Sequence, residues 1–381
     1  MNRAYQMCTR CVMDTSDPMI TFDGNGICNH CIEFFETTSR NWFPNAEGAK
    51  RLAAMVEKIK FEGKGKRYDC IIGLSGGVDS SYVALKAHEW GLRPLAMHVD
   101  AGWNSELAVS NIEKIVKHCG FELHTHVVDW AEMKDLQLAY LRAAIPNQDV
   151  PQDHAFFANL YRFAANNKIK WILTGGNLAT ESILPKSWQG SAMDATNLHA
   201  IHRKYGSRKL KQYKTISFLQ YYFYFPFVKG LRTFQPLNYM PFNKEHAIQE
   251  MEAKLGWRSY GRKHGESIFT KYFQNHYLPV KFGYDKRHPH LSSLIVSGQM
   301  TREQALEVLA EPLYAPDELA RDTGYVASKL GLSVNDFEKL LQVNPSSHLD
   351  FNNWERKQRM MRKFAATIAS ITGKKELKIY S

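Results

Sequence analysis

The run Ser75-Gly76-Gly77-Val78-Asp79-Ser80 brings together the residue types of an oxyanion cradle. Gly76 and Gly77 let backbone N–H groups approach a ligand closely, and the hydroxyls of Ser75 and Ser80 add donors. The apolar run before it, Tyr68 to Leu74, reads as a buried parallel strand. Val78, Tyr82 and Leu85 then mark one face of a helix ending near Gly91. A glycine turn between a strand and a helix N-terminus attracts anions, because the first N–H groups lack partners and the helix dipole favours negative charge. Asp79 would repel a bare phosphate, and a bridging Mg²⁺ accounts for it. The G-x-x-x-x-G-K-[ST] loop of the common nucleoside triphosphatases does not occur in the chain.

A second set of residues belongs to a metal. Cys8-x-x-Cys11 and Cys28-x-x-Cys31 have the spacing of a Cys₄ zinc site, in which two tight knuckles present four thiolates tetrahedrally. Asp23-Gly24-Asn25-Gly26 supplies the turn that folds the second knuckle back on the first. Four thiolates close the coordination sphere, so the expected role is structural. Two disulfides or an iron–sulfur cluster are the alternatives at this spacing. His30, between two ligands, is expected at the surface or beside the site. Cys70 reads as a small buried hydrophobe, and Cys119 as a lone thiol near a helix end.

The elements that position these residues alternate. A helix over 46–61 and a solvated linker over 62–66 precede the first strand. Then come a strand over 94–99, a helix over 107–119, a strand over 123–128, helices over 133–144 and 154–166, and a strand over 170–174. This βαβ order predicts a doubly wound parallel sheet covered on both faces, with ligands at the carboxyl ends of the strands. The expected organisation is a zinc module over 1–45, a helix and linker over 46–66, an α/β domain over 67–235 and a mainly helical region over 236–381. Thr301 and Gln304 form a capping box opening a helix over 302–309, Ser333 caps another, and a basic helix follows over 354–371. The run from Phe218 to Val228 contains Gln220 and Pro226 and is too short to span a bilayer, so it is expected to be a buried strand or helix. With 44% hydrophobic and 23% charged residues and no signal peptide, the 381-residue chain reads as a cytoplasmic globular protein. Its formal charge of +11 invites a polyanionic partner, with nucleotides and acidic sugars as eligible as nucleic acid.

The S-G-G-x-D-S pattern resembles the pyrophosphate loop of the N-type ATP pyrophosphatases, which cut ATP between its α and β phosphates and activate a substrate with AMP. That resemblance implies an adenine site at the second strand, near the backbone of Val99. Asp100 there could touch ribose or equally cap the following turn. Thr174-Gly175-Gly176-Asn177-Leu178-Ala179-Thr180-Glu181 resembles the G-T-x-N-x-x-E segment of the ammonia-dependent NAD synthetases. It implies Gly175 at the nucleotide and Glu181 as a second carboxylate on Mg²⁺ beside Asp79. The chain departs from that pattern with Gly176 in place of threonine and one extra residue before the glutamate. Lys244, after Pro236-Leu237, corresponds to a phosphate-binding lysine at a slightly longer interval.

An adenylated carbonyl is displaced by ammonia or by sulfur. Sulfur transfer to tRNA is the alternative reading, since some tRNA thiolases carry zinc knuckles. Those enzymes use downstream cysteine pairs, whereas here only Cys119 follows the loop. Asn2 after Met1 excludes a glutaminase with an N-terminal cysteine nucleophile, and no G-x-C-x-G elbow is present, so ammonia must come from a separate protein or from solution. The opening Met7 to Thr15, with Gly256-Trp257, Gly261-Arg262-Lys263-His264-Gly265-Glu266-Ser267 and Lys281-Phe282-Gly283-Tyr284-Asp285-Lys286-Arg287, is similar to the bacterial N-acetyl sugar amidotransferases. That family acts in lipopolysaccharide O-antigen and acidic-sugar pathways. It turns the acetamido group of a sugar, often nucleotide-linked, into an acetamidino group, with ammonia from a glutaminase resembling the histidine-pathway glutaminase–cyclase pair. Lys263, His264, Lys286 and Arg287 stand in a basic, aromatic-interleaved stretch suited to a diphosphate and a carboxylate, or to a partner protein.

Overall fold

The computed structural model describes residues 4–260 and 266–372. Lys263 and His264 lie outside the described residues. Five strands, β1 (Cys70–Gly73), β2 (Pro94–Asp100), β3 (Glu122–Val127), β4 (Trp171–Leu173) and β5 (Arg232–Phe234), form one parallel sheet in the order β3-β2-β1-β4-β5. The chain winds outward from β1 in one direction, then crosses back to β4 and winds in the other. The doubly wound α/β fold read from the sequence is therefore present, with its topological switch between β1 and β4.

The helices follow as α1 (Asn29–Glu36), α2 (Ala46–Gly63), α3 (Val78–Glu89), α4 (Glu106–Cys119), α5 (Trp130–Ala143), α6 (Val150–Asn166), α7 (Leu178–Glu181) and α8 (Ala195–Tyr205). A π-helix over Gln220–Val228 precedes β5, and α9 (Lys244–Leu255) follows it. The remaining helices are α10 (Ile268–Tyr272), α11 (Leu278–Phe282), α12 (Arg287–Val296), α13 (Arg302–Ala310), α14 (Pro316–Leu330), α15 (Val334–Leu341) and α16 (Glu355–Thr372). Thr301 and Gln304 make the capping box at α13, and the Ser333 hydroxyl accepts from the Asp336 N–H at α15.

Burial explains the sheet. Ile71, Leu95, Met97 and Val99 point into one core with α5, α6 and α8, while Cys70, Ile72, Leu74 and Ala96 point into the other with α3 and α9. That two-residue alternation, apolar on both sides, marks central strands of a covered parallel sheet. The outermost β3 differs: its sequence Glu-Leu-His-Thr-His-Val is mostly exposed, as an edge strand's must be.

Two expectations change. The run 218–228 is not a buried element, because Leu219, Phe223, Phe227 and Val228 face outward and only Tyr222 and Phe225 are buried. The chain also stays with the α/β layer beyond residue 235, since α9 packs on α3. Glu250 receives hydrogen bonds from Tyr82 (3.0 Å), Lys86 (2.7 Å) and Lys254 (2.7 Å). Burial alone would raise the Glu250 carboxyl, but these three bonds hold it down at about 2.

Candidate functional site

Both sequence segments singled out for chemistry leave the sheet at the switch point, where open α/β sheets bind ligands. The loop 74–77 leaves β1 and opens α3, whose N-cap is Gly77. Gly76 has φ +82°, and a Cβ on it would lie 2.7 Å from the Ala108 carbonyl oxygen, so only glycine fits. Ser75 is exposed at the mouth, its Oγ 3.2 Å from Ser80 Oγ. Asp79 and Ser80 sit half-buried in the first turn of α3.

The segment after β4 closes on this turn from the side. A Cβ on Gly175 would lie 2.7 Å from the Asp79 carbonyl carbon and 2.7 Å from the Ser80 nitrogen. Gly175 thus presses the end of β4 against the helix that carries Asp79. Gly175→Ala is expected to cost about 1–3 kcal/mol of stability and to lower activity, because the clash is with backbone that cannot step aside. Thermal melting with a turnover assay checks it; an unperturbed variant would show that the two backbones have room to part. Beyond Gly175, Asn177 caps α7 by accepting from the Thr180 N–H (2.9 Å), and Glu181 stands exposed at the helix end.

At β2, Val99 is buried in the core, and Asp100 takes the capping role left open by the sequence. Its Oδ1 accepts from the Gly102 N–H at 2.8 Å and from Asn104 Nδ2 at 3.1 Å. His98, which sequence reading passed over, joins β2 to the loop: Nδ1 donates to the Leu74 carbonyl at 2.8 Å and Nε2 accepts from Asn104 at 2.9 Å. Lys244 opens α9, half-buried. Phe242 touches Tyr82, and Glu250 and Lys254 bond farther along α3, so Lys244 lies toward the loop end of that helix.

Residues far away in sequence roof the loop. Tyr260 Oη donates to the Gly76 carbonyl at 2.9 Å, and a Cβ on Gly77 would lie 3.2 Å from Glu266 Oε1. From there the chain crosses to the start of α6. The Ser105 N–H donates to the Glu266 carbonyl (2.9 Å), and Thr270 Oγ1 donates to Asp149 Oδ1 (3.0 Å). Glu266 lies in the block Gly261 to Ser267 quoted for the family resemblance, whereas no local pattern marks Tyr260; the contact each makes with the loop exists only across the fold.

Asp153, one turn into α6, is a further residue that sequence reading missed. Its side chain is exposed, on the same turn of helix as Asp149 and near Lys286. Burial and the Asp149 charge push its carboxyl up to about 8, and Lys286 offsets part of the rise. The folded protein therefore holds a proton that the unfolded chain releases above its ordinary value of 3.8. Stability falls between that value and about 8, and cleft water screens part of the effect. Asp153→Asn is expected to melt higher than the wild type at neutral pH, with no gain at about pH 3. Melting curves across that range check it; an equal gain at both ends would remove the titration. Lys286 so lies beside the α6 acids. Arg287 pairs with Asp285 (2.8 Å) and donates to the Val308 (2.9 Å) and Glu311 (2.7 Å) carbonyls.

The four cysteines form a separate centre. All are fully buried free thiols, with every ligand-atom separation within 4.8 Å. Cys11 and Cys28 sulfurs lie 3.6 Å apart, and those of Cys8 and Cys31 4.0 Å. A tetrahedral ion with Zn–S bonds of about 2.3 Å needs sulfurs about 3.8 Å apart. The residues present therefore fit one zinc ion. Hydrogen bonds among the sulfurs push the Cys8 and Cys28 thiols down and the Cys11 and Cys31 thiols up. Asp23 builds the second knuckle's turn, accepting from the Asn25 (2.9 Å) and Ile27 (2.8 Å) N–H groups. His30 lies beside the centre, bonded to Asp17 at 2.8 Å. Cys119 is buried and burial raises its thiol to about 12, which removes it as a sulfur carrier.

With this geometry in view, residues 266–365 match the family described as LPS biosynthesis protein WbpG-like, C-terminal domain. The similarity covers these residues alone. The matched segment begins at Glu266, against Gly77 of the loop, and contains Lys286 and α12. Among solved structures, an NH3-dependent NAD synthetase from Campylobacter jejuni subsp. jejuni, in complex with nitrate, is 15% identical. That match covers 41% of this chain and 72% of the other, with a TM-score of 0.28. NMN synthetase from Francisella tularensis is 13% identical over 75% of this chain and 96% of its own, with a TM-score of 0.35. No curated protein matches. Among the described residues, no helix is long and apolar enough to cross a membrane.

Proposed function

We propose that this protein is an ATP-dependent, AMP-forming amidotransferase acting on an N-acetylated sugar in lipopolysaccharide biosynthesis. The observation that carries the reading is the placement of Ser75 to Ser80 at the switch point, roofed by the start of a WbpG-like domain. Backbone N–H groups of the first turn of α3, with Ser75 and Ser80, would hold the β and γ phosphates. Asp79 and Glu181 would hold Mg²⁺, which supplies charge neutralisation on the departing pyrophosphate. Lys244 stands at the same end of α3. The acetamido oxygen takes the AMP and becomes a good leaving group; ammonia then replaces it, giving the acetamidino sugar.

The substrate we propose is a nucleotide-linked sugar, lying in the cleft toward Asp149, Asp153 and Lys286. Ammonia would come from a separate glutaminase with a cyclase-like companion. The protein is incubated with ATP, Mg²⁺, ammonium and a di-N-acetylated uronic acid nucleotide, and the expected products are AMP, pyrophosphate and a sugar in which one oxygen has become NH. Release of ADP and phosphate, or AMP with an unaltered sugar, would sink the proposal.

A further inference from the structure

A cavity of about 610 Å³ opens at the free edge of the sheet, between β3, α6 and the π-helix. Its lining carries His124, His126, Arg162 and Lys214 and no carboxylate. Among the described residues, no ion pair joins any of these four to an acid. Arg162 Nη2 donates to the Thr215 carbonyl at 2.6 Å and reaches Gln220 Oε1 at 3.4 Å, while its Nε is buried with no hydrogen-bond partner.

The position of Lys214 is built rather than accidental. The Tyr213 N–H donates to Glu132 Oε2 at 2.8 Å, and the Ile216 N–H donates to His154 Nε2 at 3.1 Å. The exposed Lys214 side chain is thus presented at the mouth by backbone fixed on both sides of it. Burial, then the nearby His124 and Lys214, push the His126 imidazole below its ordinary range. The acid nearest in the adjoining recess, Asp129, is occupied as the cap of α5, accepting from the Glu132 N–H at 2.9 Å. Four basic side chains line one cavity with no carboxylate among its lining residues, and an oxyanion there would find charge-assisted donors.

The rest of the wall fits a ring. Phe163, Tyr224 and Phe225 line it, and the His124 ring lies 4.3 Å from that of Phe163. The volume falls in the range that holds a nucleotide-sized molecule, roughly 300–1,000 Å³. The site is not the loop's own. Phe156 of α6 meets Gly73 at the end of β1. Arg162 lies six residues farther along that helix, about 9 Å toward the amino ends of the strands. β3 is two strands from β1, about 10 Å sideways.

We propose that this cavity is a second ligand site, which binds an organic phosphate with its oxyanion on Arg162, Lys214, His124 and His126 and its planar ring against the aromatic wall. It is independent of the ATP loop.

Calorimetry on the full chain, with inorganic phosphate, uridine monophosphate and glucuronate as probes, tests the assignment. Uridine monophosphate is expected to bind one to one and more tightly than the other two. Arg162→Gln and Lys214→Ala should each weaken it by roughly tenfold, the loss of one charge-assisted contact. Asp79→Asn should leave its affinity unchanged. Affinity should rise from about pH 8 to about pH 6, because the phosphate favours protonated imidazoles and His126 resists protonation in the free protein. Arg162, His124, Lys214 and Asp129 are the charged groups that face it. The Lys214→Ala change is on an exposed side chain and keeps the test valid if Arg162→Gln misfolds. Binding indifferent to both substitutions, binding lost in Asp79→Asn, or glucuronate binding tighter than the phosphate would overturn the proposal.

Discussion

Asp79→Asn is expected to abolish release of AMP and pyrophosphate while leaving the fold intact. The carboxylate sits half-buried in the first turn of α3, against the backbone of Gly175, where the loop's donors and the helix dipole gather anions. An anion at an anion site has a purpose only if a cation lies between them. Asparagine keeps the shape and removes the charge that, on the proposed function, would hold the cation. Loss of a group that stabilises charge on the departing pyrophosphate costs about 10²–10³ in rate. The effect on stability is small by comparison, since one exchange of charge at a helix N-terminus is worth about 0.3–1 kcal/mol. Glu181→Gln should act in the same direction without moving the melting temperature, because Glu181 is exposed at the end of α7. Pyrophosphate release is the measurement. Undiminished release by either variant removes that residue from the metal, and a collapse of the melting temperature reassigns it to packing.

The loop, the cysteine knuckles and the central strands were legible because each is a local signal. Ser75 to Ser80 needs only its own glycines and the flanking apolar pattern, and Cys₄ spacing specifies its geometry within a few residues. β5 is three residues long and carries no periodicity, so Arg232–Phe234 could not be read as a strand. The π-helix was misread for a different reason. Its aromatic composition resembles a core segment, yet burial depends on what the chain packs against, and only Tyr222 and Phe225 find a neighbour deep enough to be buried. Asp100 shows the limit at the site itself: a carboxylate at a strand's end serves ligand or turn equally, and only the Gly102 and Asn104 bonds decide. Tyr260 and Glu266 acquire their roles through Gly76 and Gly77, far away in sequence, on the scale of the whole fold rather than a motif.

Removal of a metal ion held by the four cysteines is the second large effect expected, and it should reach Glu181 and Lys286 without any ligand cysteine touching them. The four sulfurs share a core with Ile20, Phe34, Ile183 and Val296, so the knuckles pack directly on the segment after Glu181 and on α12. Arg302 donates to the carbonyls of Cys11 (3.1 Å) and Cys8 (3.2 Å), and the Val12 N–H donates to Ser292 Oγ at 3.2 Å. Ser187 Oγ donates to Asp17 at 2.7 Å. These bonds run from knuckle backbone or a knuckle acid to α12, to the start of α13 and to the segment after α7. α12 in turn holds α7, since Ser297 Oγ donates to the Ala179 carbonyl at 2.7 Å. A structural zinc supplies about 10–16 kcal/mol to such small modules, far more than the remaining contacts of a short loop pair. Chelation, or Cys11→Ser, is therefore expected to unfold the first 35 or so residues and to release the α7–α12 wedge. Hydrogen exchange should quicken over 179–187 and 288–302 while β1 and β2, buried on both faces, stay protected. Pyrophosphate release should fall in step with bound metal. If exchange over α12 is unchanged after the metal has gone, the module is an appendage and the wall beside Glu181 stands without it.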